Sequence, residues 1–137
     1  MKKIAIMQPY FFPYAGYFQL LHAVEEFISL DNVDYIKNGW INRNKVNSQN
    51  GPFYIRFPLE GSSSNRKIHT IRIFQKERAK EKFRKSIISS YRKSQYFEEV
   101  MIELDEILKF ETSDIAEFNY LSSVSYTHLT LPTILRV

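Results

Sequence analysis

The 137-residue sequence predicts an α/β fold, and three observations carry that expectation. First, Lys3–Met7 is a short Ile-rich stretch with weak apolar–polar alternation, the pattern of a buried strand. Second, Pro9 and Pro13 hold their predecessors in extended geometry. From Ala15 onward Tyr17, Leu20, Leu21, Val24, Phe27 and Ile28 recur on one helical face. Third, Phe27–Leu30 followed by Asp31-Asn32 reads as a second strand with a turn, so the helix is expected to stop near Glu26. Strand, loop, helix and strand make a βαβ unit, whose crossover is right-handed and whose strands are parallel. The chain therefore has a Rossmann-like start.

Further along, Asp34–Lys37 and Phe53–Pro58 read as strands. Asn38–Gly51 between them is polar and rich in Asn and Gly, which favours turns. Ile68–Phe74 alternates imperfectly and is expected to be a strand, after a polar loop at Glu60–Asn65. Three helices follow. Lys76–Arg92 carries Ala79, Phe83, Ile87 and Tyr91 at intervals of four on a basic cylinder. Phe97, Val100, Met101, Leu104, Ile107 and Leu108 form the apolar face of the second helix, with Ser94 as its expected cap. Ser113-Asp114 opens the third, with Ile115, Phe118 and Leu121 turned inward.

Composition bounds the function. With 44% hydrophobic, 15% aromatic and 25% charged residues, the chain has the makings of one globular domain that buries about two-thirds of its unfolded surface. Zero cysteines exclude a disulfide scaffold, an iron–sulfur site and Cys-based zinc, and suit a reducing compartment. No apolar run approaches the ~18 residues that span a bilayer. The apolar stretch after Met1-Lys2-Lys3 ends at Gln8, too short for a signal-peptide core. A soluble cytoplasmic protein without membrane insertion is expected. The net charge of +4 is unevenly spread: Arg66–Lys93 holds eleven basic residues against two acidic ones, whereas Glu98–Glu117 holds eight acidic residues and only Lys109. An intramolecular pairing of these segments is favoured over a nucleic-acid surface.

Beyond Ser122 the character changes. Val124–Thr133 resembles the conceptual translation of a sequencing-library adapter, so residues 123–137 are expected to be a non-native tail, with 1–122 the N-terminal part of the α/β domain. On that reading His128 carries no meaning. The alternative is a genuine strand at Tyr126–Leu131.

Two segments carry candidate chemistry. Gln8–Phe18 holds six aromatics in eleven residues, directly after the first strand. In an open α/β sheet, ligands bind outside the carboxyl ends of the strands, against the following helix. Gln8, Pro9, Tyr10, Tyr14 and Gly16 are therefore candidate binding residues. Tyr10, Tyr14 and Gln8 have polar handles, and Gly16 leaves room for close approach. Phe11, Phe12 and Phe18 equally suit a core plug. The second segment supplies Lys37, Trp40, Asn42, Arg43 and Asn44. Together these give an aromatic face, a guanidinium fork for an anion and two orienting amides, a mixture suited to a sugar or nucleotide. Arg43 and Lys37 would hold an anionic group, Trp40 and Tyr10 would stack on a ring, and Gln8, Asn42 and Asn44 would orient the substrate. Asp31, just past the second strand, is a candidate base or a turn cap. His22 is a candidate acid/base residue or a plain helix histidine. There is no Walker A loop, Gly-x-Gly-x-x-Gly, His-Glu-x-x-His or Gly-x-Ser-x-Gly. The three histidines lack metal-ligand spacing, and no cofactor is expected.

The block Gln8-Pro-Tyr-Phe-Phe-Pro-Tyr-Ala-Gly-Tyr-Phe, followed by Asp31, Tyr35-Ile-Lys and Gly39-Trp-Ile-Asn-Arg-Asn, resembles the hallmark blocks of the WbqC-like protein family. The resemblance runs from Met1 to about Leu121, including the Tyr91–Phe97 helix junction. It implies a bacterial protein of O-antigen, lipopolysaccharide or other surface-polysaccharide biosynthesis, and an aminoacyl (glycine) transferase acting on a small-molecule substrate such as a sugar nucleotide or acyl donor. Family members are about twice as long, with a later aromatic and His-Pro-containing block that this chain lacks. A truncated domain, inactive or incomplete, is implied. A weaker resemblance to nucleotidylyltransferase folds stops at Tyr14-Ala15-Gly16-Tyr17, where those enzymes carry His-x-Gly-His. The alternative function is a non-catalytic nucleotide-sugar or glycan binding module.

Overall fold

The computed structural model describes residues 1–125 and the strand Thr133–Arg136. Its first layer is the expected βαβ unit: β1 (Ile4–Met7), α1 (Ala15–Ala23) and β2 (Glu26–Ser29). β1 and β2 are parallel, in register from Ile4 opposite Glu26 to Met7 opposite Ser29. The helix ends three residues earlier than its apolar period suggests, because Val24 turns to extended geometry (φ −119°, ψ 156°) and the amides of Glu25 and Glu26 donate to Lys3 O. Tyr17 and Leu21 of α1 bury Ala5 and Phe27 on one sheet face. The opposite face leaves Ile4 and Ile6 exposed.

The second layer begins with an antiparallel ribbon, β3 (Arg43–Val46) and β4 (Phe53–Arg56). β3 lies inside the stretch expected to be only turns. Asp34–Lys37 is no strand; Asp34 forms one isolated antiparallel bridge with Lys67. Ile68–Phe74 also divides, into a 3-10 turn at Ile68–Thr70 and a two-residue strand β6 (Arg72–Ile73) that pairs with β5 (Leu59–Glu60). The three helices follow as α2 (Lys76–Tyr91), α3 (Phe97–Leu108) and α4 (Ile115–Ser125). Ser94 does not cap α3 through its side chain; the residue before that helix is Tyr96, also without a side-chain cap. Asp114 caps α4 instead, its Oδ1 accepting from the amides of Ala116 at 2.9 Å and Glu117 at 3.2 Å.

The ribbon and the three helices enclose the main core, where Phe11, Phe57, Ile68, Ile107, Ile115 and Phe118 have no solvent exposure. Leu121 is only half-buried. The basic and acidic segments do meet, with Arg84 forked onto Asp105 at 2.7 and 3.0 Å and Lys76 at 3.2 Å from Glu111. The Asp105 carboxyl is held below its usual range by the hydrogen bond from Arg84. Within the tail, β7 (Thr133–Arg136) runs parallel to β2 on the side away from β1. Tyr126–Leu131 and His128 lie outside the described residues.

Candidate functional site

β1 and β2 end side by side, Leu30 N donating to Met7 O at 2.8 Å, so the segments leaving both strands share one end of the sheet. The Gln8–Gly16 loop is fixed there by side chains remote in sequence. Tyr17 Oη donates to Gln8 O at 2.9 Å, Asn119 Nδ2 to Pro9 O at 2.9 Å, and Asn44 Nδ2 to Phe12 O at 2.7 Å. Phe11 plugs the main core, as its apolar ring suits, with its ring 4.9 Å from Phe57 and 5.5 Å from Phe83. Phe12 sits in the left-handed region at φ 41°, a conformation costing of order 1–3 kcal/mol for a bulky residue. Its stack on Phe83, at 4.8 Å and 23°, and the bond from Asn44 offset that cost.

The Gly39–Asn44 segment is built against this loop. Phe11 N donates to Trp40 O at 2.8 Å, and Asn119 Nδ2 reaches Ile41 O at 2.7 Å, so one buried amide ties both segments together. Asn42 donates to Phe57 O at 2.8 Å and accepts from Tyr35 Oη at 3.3 Å. Arg43 donates to the carbonyls of Gly39 and Asn38 and lies 4.3 Å above the Tyr54 ring. The polar residues singled out in the sequence thus first hold their own loops in shape.

A cavity of about 480 Å³ opens beside the junction. Tyr14 and Asn44 line it, with Phe12, Phe83, Tyr91 and Tyr96 among the other walls. Tyr14 is exposed and its ring lies against Gly16, filling the space expected for a ligand's approach to that glycine. Gln8, Asp31, Lys37, Trp40 and Arg43 are not cavity walls. Lys37 is exposed and Trp40 partly so, whereas Asp31 is buried just past β2, its carbonyl accepting from His69 N at 3.1 Å. His22 is exposed beside a separate groove with Phe12, Pro13 and Phe18. Tyr10 packs on Tyr17 at 5.6 Å; burial, then Tyr10, pushes the Tyr17 phenol pKa well above its usual value. Burial also raises Tyr35, against the pull of Arg43 and Arg56.

Sequence reasoning missed Asn119 altogether and noted the Tyr91–Phe97 helix junction only as part of the family resemblance, not of the site. Asn119 is a lone amide within an apolar helical pattern and gives no signal. The junction does, since Tyr91, Tyr96 and Phe97 cluster around a Ser-Gln turn. Among the described residues no group of three or more His, Cys, Asp or Glu is placed to hold a metal ion. Likewise no helix among them is long and apolar enough to cross a membrane.

Fold and site together define an α/β protein whose candidate ligand site is made by the loop leaving β1, the β3–β4 ribbon and the junction between α2 and α3. The chain belongs to the WbqC-like protein family, whose model matches residues 8–133. It is also similar to the uncharacterized protein Rv1507c of Mycobacterium tuberculosis (strain ATCC 25618 / H37Rv), 42% identical over 60 residues, which cover 44% of this chain and 26% of that protein. The chain thus spans about a quarter of the curated relative it matches. No solved structure matches it.

Proposed function

We propose that the chain is the substrate-binding part of a cytoplasmic bacterial transferase of surface-polysaccharide (O-antigen) biosynthesis, which passes an aminoacyl group, glycyl in the family's description, to a sugar on a nucleotide or lipid carrier. The observation that supports this most is the joining of the two family segments through Asn44 and the buried Asn119, with Asn44 itself in the wall of the 480 Å³ cavity. A cavity of this size with a mostly apolar wall and a few polar groups is ordinary for a small-molecule ligand. Asn44 and the hydroxyls of Tyr14, Tyr91 and Tyr96 supply the polar groups. Arg43 and Lys37, outside the cavity walls, would take the anionic part of a substrate, and Asp31, buried just past β2, would act as base.

Isothermal titration of uridine diphosphate glucose into the chain tests the placement. Tyr14→Ala should weaken binding about tenfold without changing thermal stability. Equal binding by wild type and Arg43→Ala would remove the anion clamp. The second reading, a binding module without catalysis, is favoured by one observation: among the described residues the cavity walls carry no carboxylate and no histidine. A turnover assay with aminoacyl donors separates the two. We further propose that residues 1–122 are the N-terminal part of a WbqC-like α/β domain and that 123–137 translate an adapter, which the nucleotide sequence around codon 123 decides.

A further inference from the structure

The basic residues of α2 divide into two groups. Lys76, Lys80, Arg84 and Lys85 each stand beside a carboxylate, of Glu111, Glu77, Asp105 and Glu81 respectively. Arg78 and Lys82, one turn apart, form no ion pair among the described residues, and neither does Arg56 of β4. These three unneutralised cations line one groove of about 320 Å³ between the ribbon and α2. Arg56 also stands directly opposite Arg43 across the ribbon, a like-charge pairing that destabilises a sheet. Concentrating uncompensated positive charge in a concavity is unfavourable until an anion enters it.

The groove's other features narrow the anion. The Phe74 ring, 46% exposed, forms part of one wall and offers a face for a flat group. Arg78 and Lys82 also line an adjoining groove with Ser48, Asn50, Ser86 and Ser89, whose side chains are hydrogen-bonding groups suited to hydroxyls. The carboxylate there, Glu81, is engaged by Lys85 at 2.6 Å. Two guanidinium forks and an ammonium exceed what one phosphate needs but match two linked phosphates, which arginine binds bidentately.

We propose that the groove between β4 and α2 is a binding site for an organic diphosphate, with Arg56, Arg78 and Lys82 on the phosphates, Phe74 against a flat substituent and the serine-rich extension against a hydroxylated one. This site is separate from the cavity lined by Tyr14 and Asn44 and does not rest on the transferase reading.

Titration of inorganic pyrophosphate into the 137-residue chain at low ionic strength tests it. Wild type should bind, at least tenfold more tightly than inorganic phosphate, and added salt should weaken the complex. Arg56→Ala/Arg78→Ala should weaken pyrophosphate at least tenfold, and Lys82→Ala several-fold. The double variant Lys3→Ala/Lys109→Ala, which removes the same net charge elsewhere, should change binding less than twofold. Arg78→Gln alone, an exposed change on a helix, gives the same direction if the Arg56 variant folds poorly. Absence of pyrophosphate binding, equal affinity for phosphate, or equal weakening by the Lys3/Lys109 pair overturns the proposal. Unchanged pyrophosphate binding in Tyr14→Ala, with loss in Arg56→Ala/Arg78→Ala, separates this site from the other.

Discussion

The βαβ layer and the helical half of this molecule are held together in different ways. Among the described residues the first buries four hydrophobic side chains, Ala5, Tyr17, Leu21 and Phe27, on one face of a parallel sheet whose other face leaves Ile4 and Ile6 in solvent. Parallel sheets are ordinarily covered on both faces. The second, again among the described residues, buries sixteen hydrophobic ones in a continuous aromatic and aliphatic core. Yet the loop that leaves β1 belongs mechanically to the second region, since Phe11 packs in its core and Asn44 and Asn119 grip its carbonyls. The sheet therefore places the loop, and the helical half determines its shape.

The sharpest way to break this comparison is Phe118→Ala. It leaves a large cavity in the main core, and the expected loss is about 3–5 kcal/mol, read from urea unfolding. If the two regions are as unequal as described, no single substitution in the βαβ layer will cost as much. Asn119→Ala comes next, at about 2 kcal/mol, because the carbonyls of Pro9 and Ile41 lose a buried donor. Hydrogen exchange should then accelerate in the Gln8–Gly16 loop more than in α2 or α3; uniform acceleration would mean that Asn119 is ordinary core. Tyr17→Phe is the smallest, at about 1 kcal/mol for the bond to Gln8 O, with faster exchange confined to β1, α1 and β2. It also carries a pH signature. Burial raises the phenol's pKa in the folded state above the ordinary 10.0, so the unfolded chain ionises first. The wild-type advantage is full below pH 10 and shrinks as pH rises beyond it. An identical alkaline unfolding profile in Tyr17→Phe would contradict the burial argument.

What was legible in the sequence follows the same division. β1, α1 and β2 announce themselves because their apolar periods are bracketed by Pro9, Pro13 and Asp31-Asn32, and α2 because its stripe repeats every four residues. β3 was hidden, since Arg-Asn-Lys-Val has little intrinsic strand preference. Its place comes from the ladder with β4 and from Arg43 and Lys45 lying over Tyr54. Asp34–Lys37 shows the reverse, a strand-like composition whose nearest partner, Lys67, offers one bridge and no ladder. Of the candidate residues, Tyr14 and Asn44 meet at the cavity, but nothing local reveals that Asn119 would join two loops, because that role exists only after α4 packs.

The bond from Asn119 to Pro9 spans 110 residues, and it sets a schedule for biosynthesis. At ribosomal elongation rates, on the order of 5–20 seconds separate the emergence of the first loop from that of the amide that secures it. Throughout that interval the nascent chain displays six aromatics in eleven residues with no finished core to receive Phe11. The aromatic segment thus leaves the ribosome well before the amide that locks it, and its exposed rings have that whole interval in which to find the wrong partner.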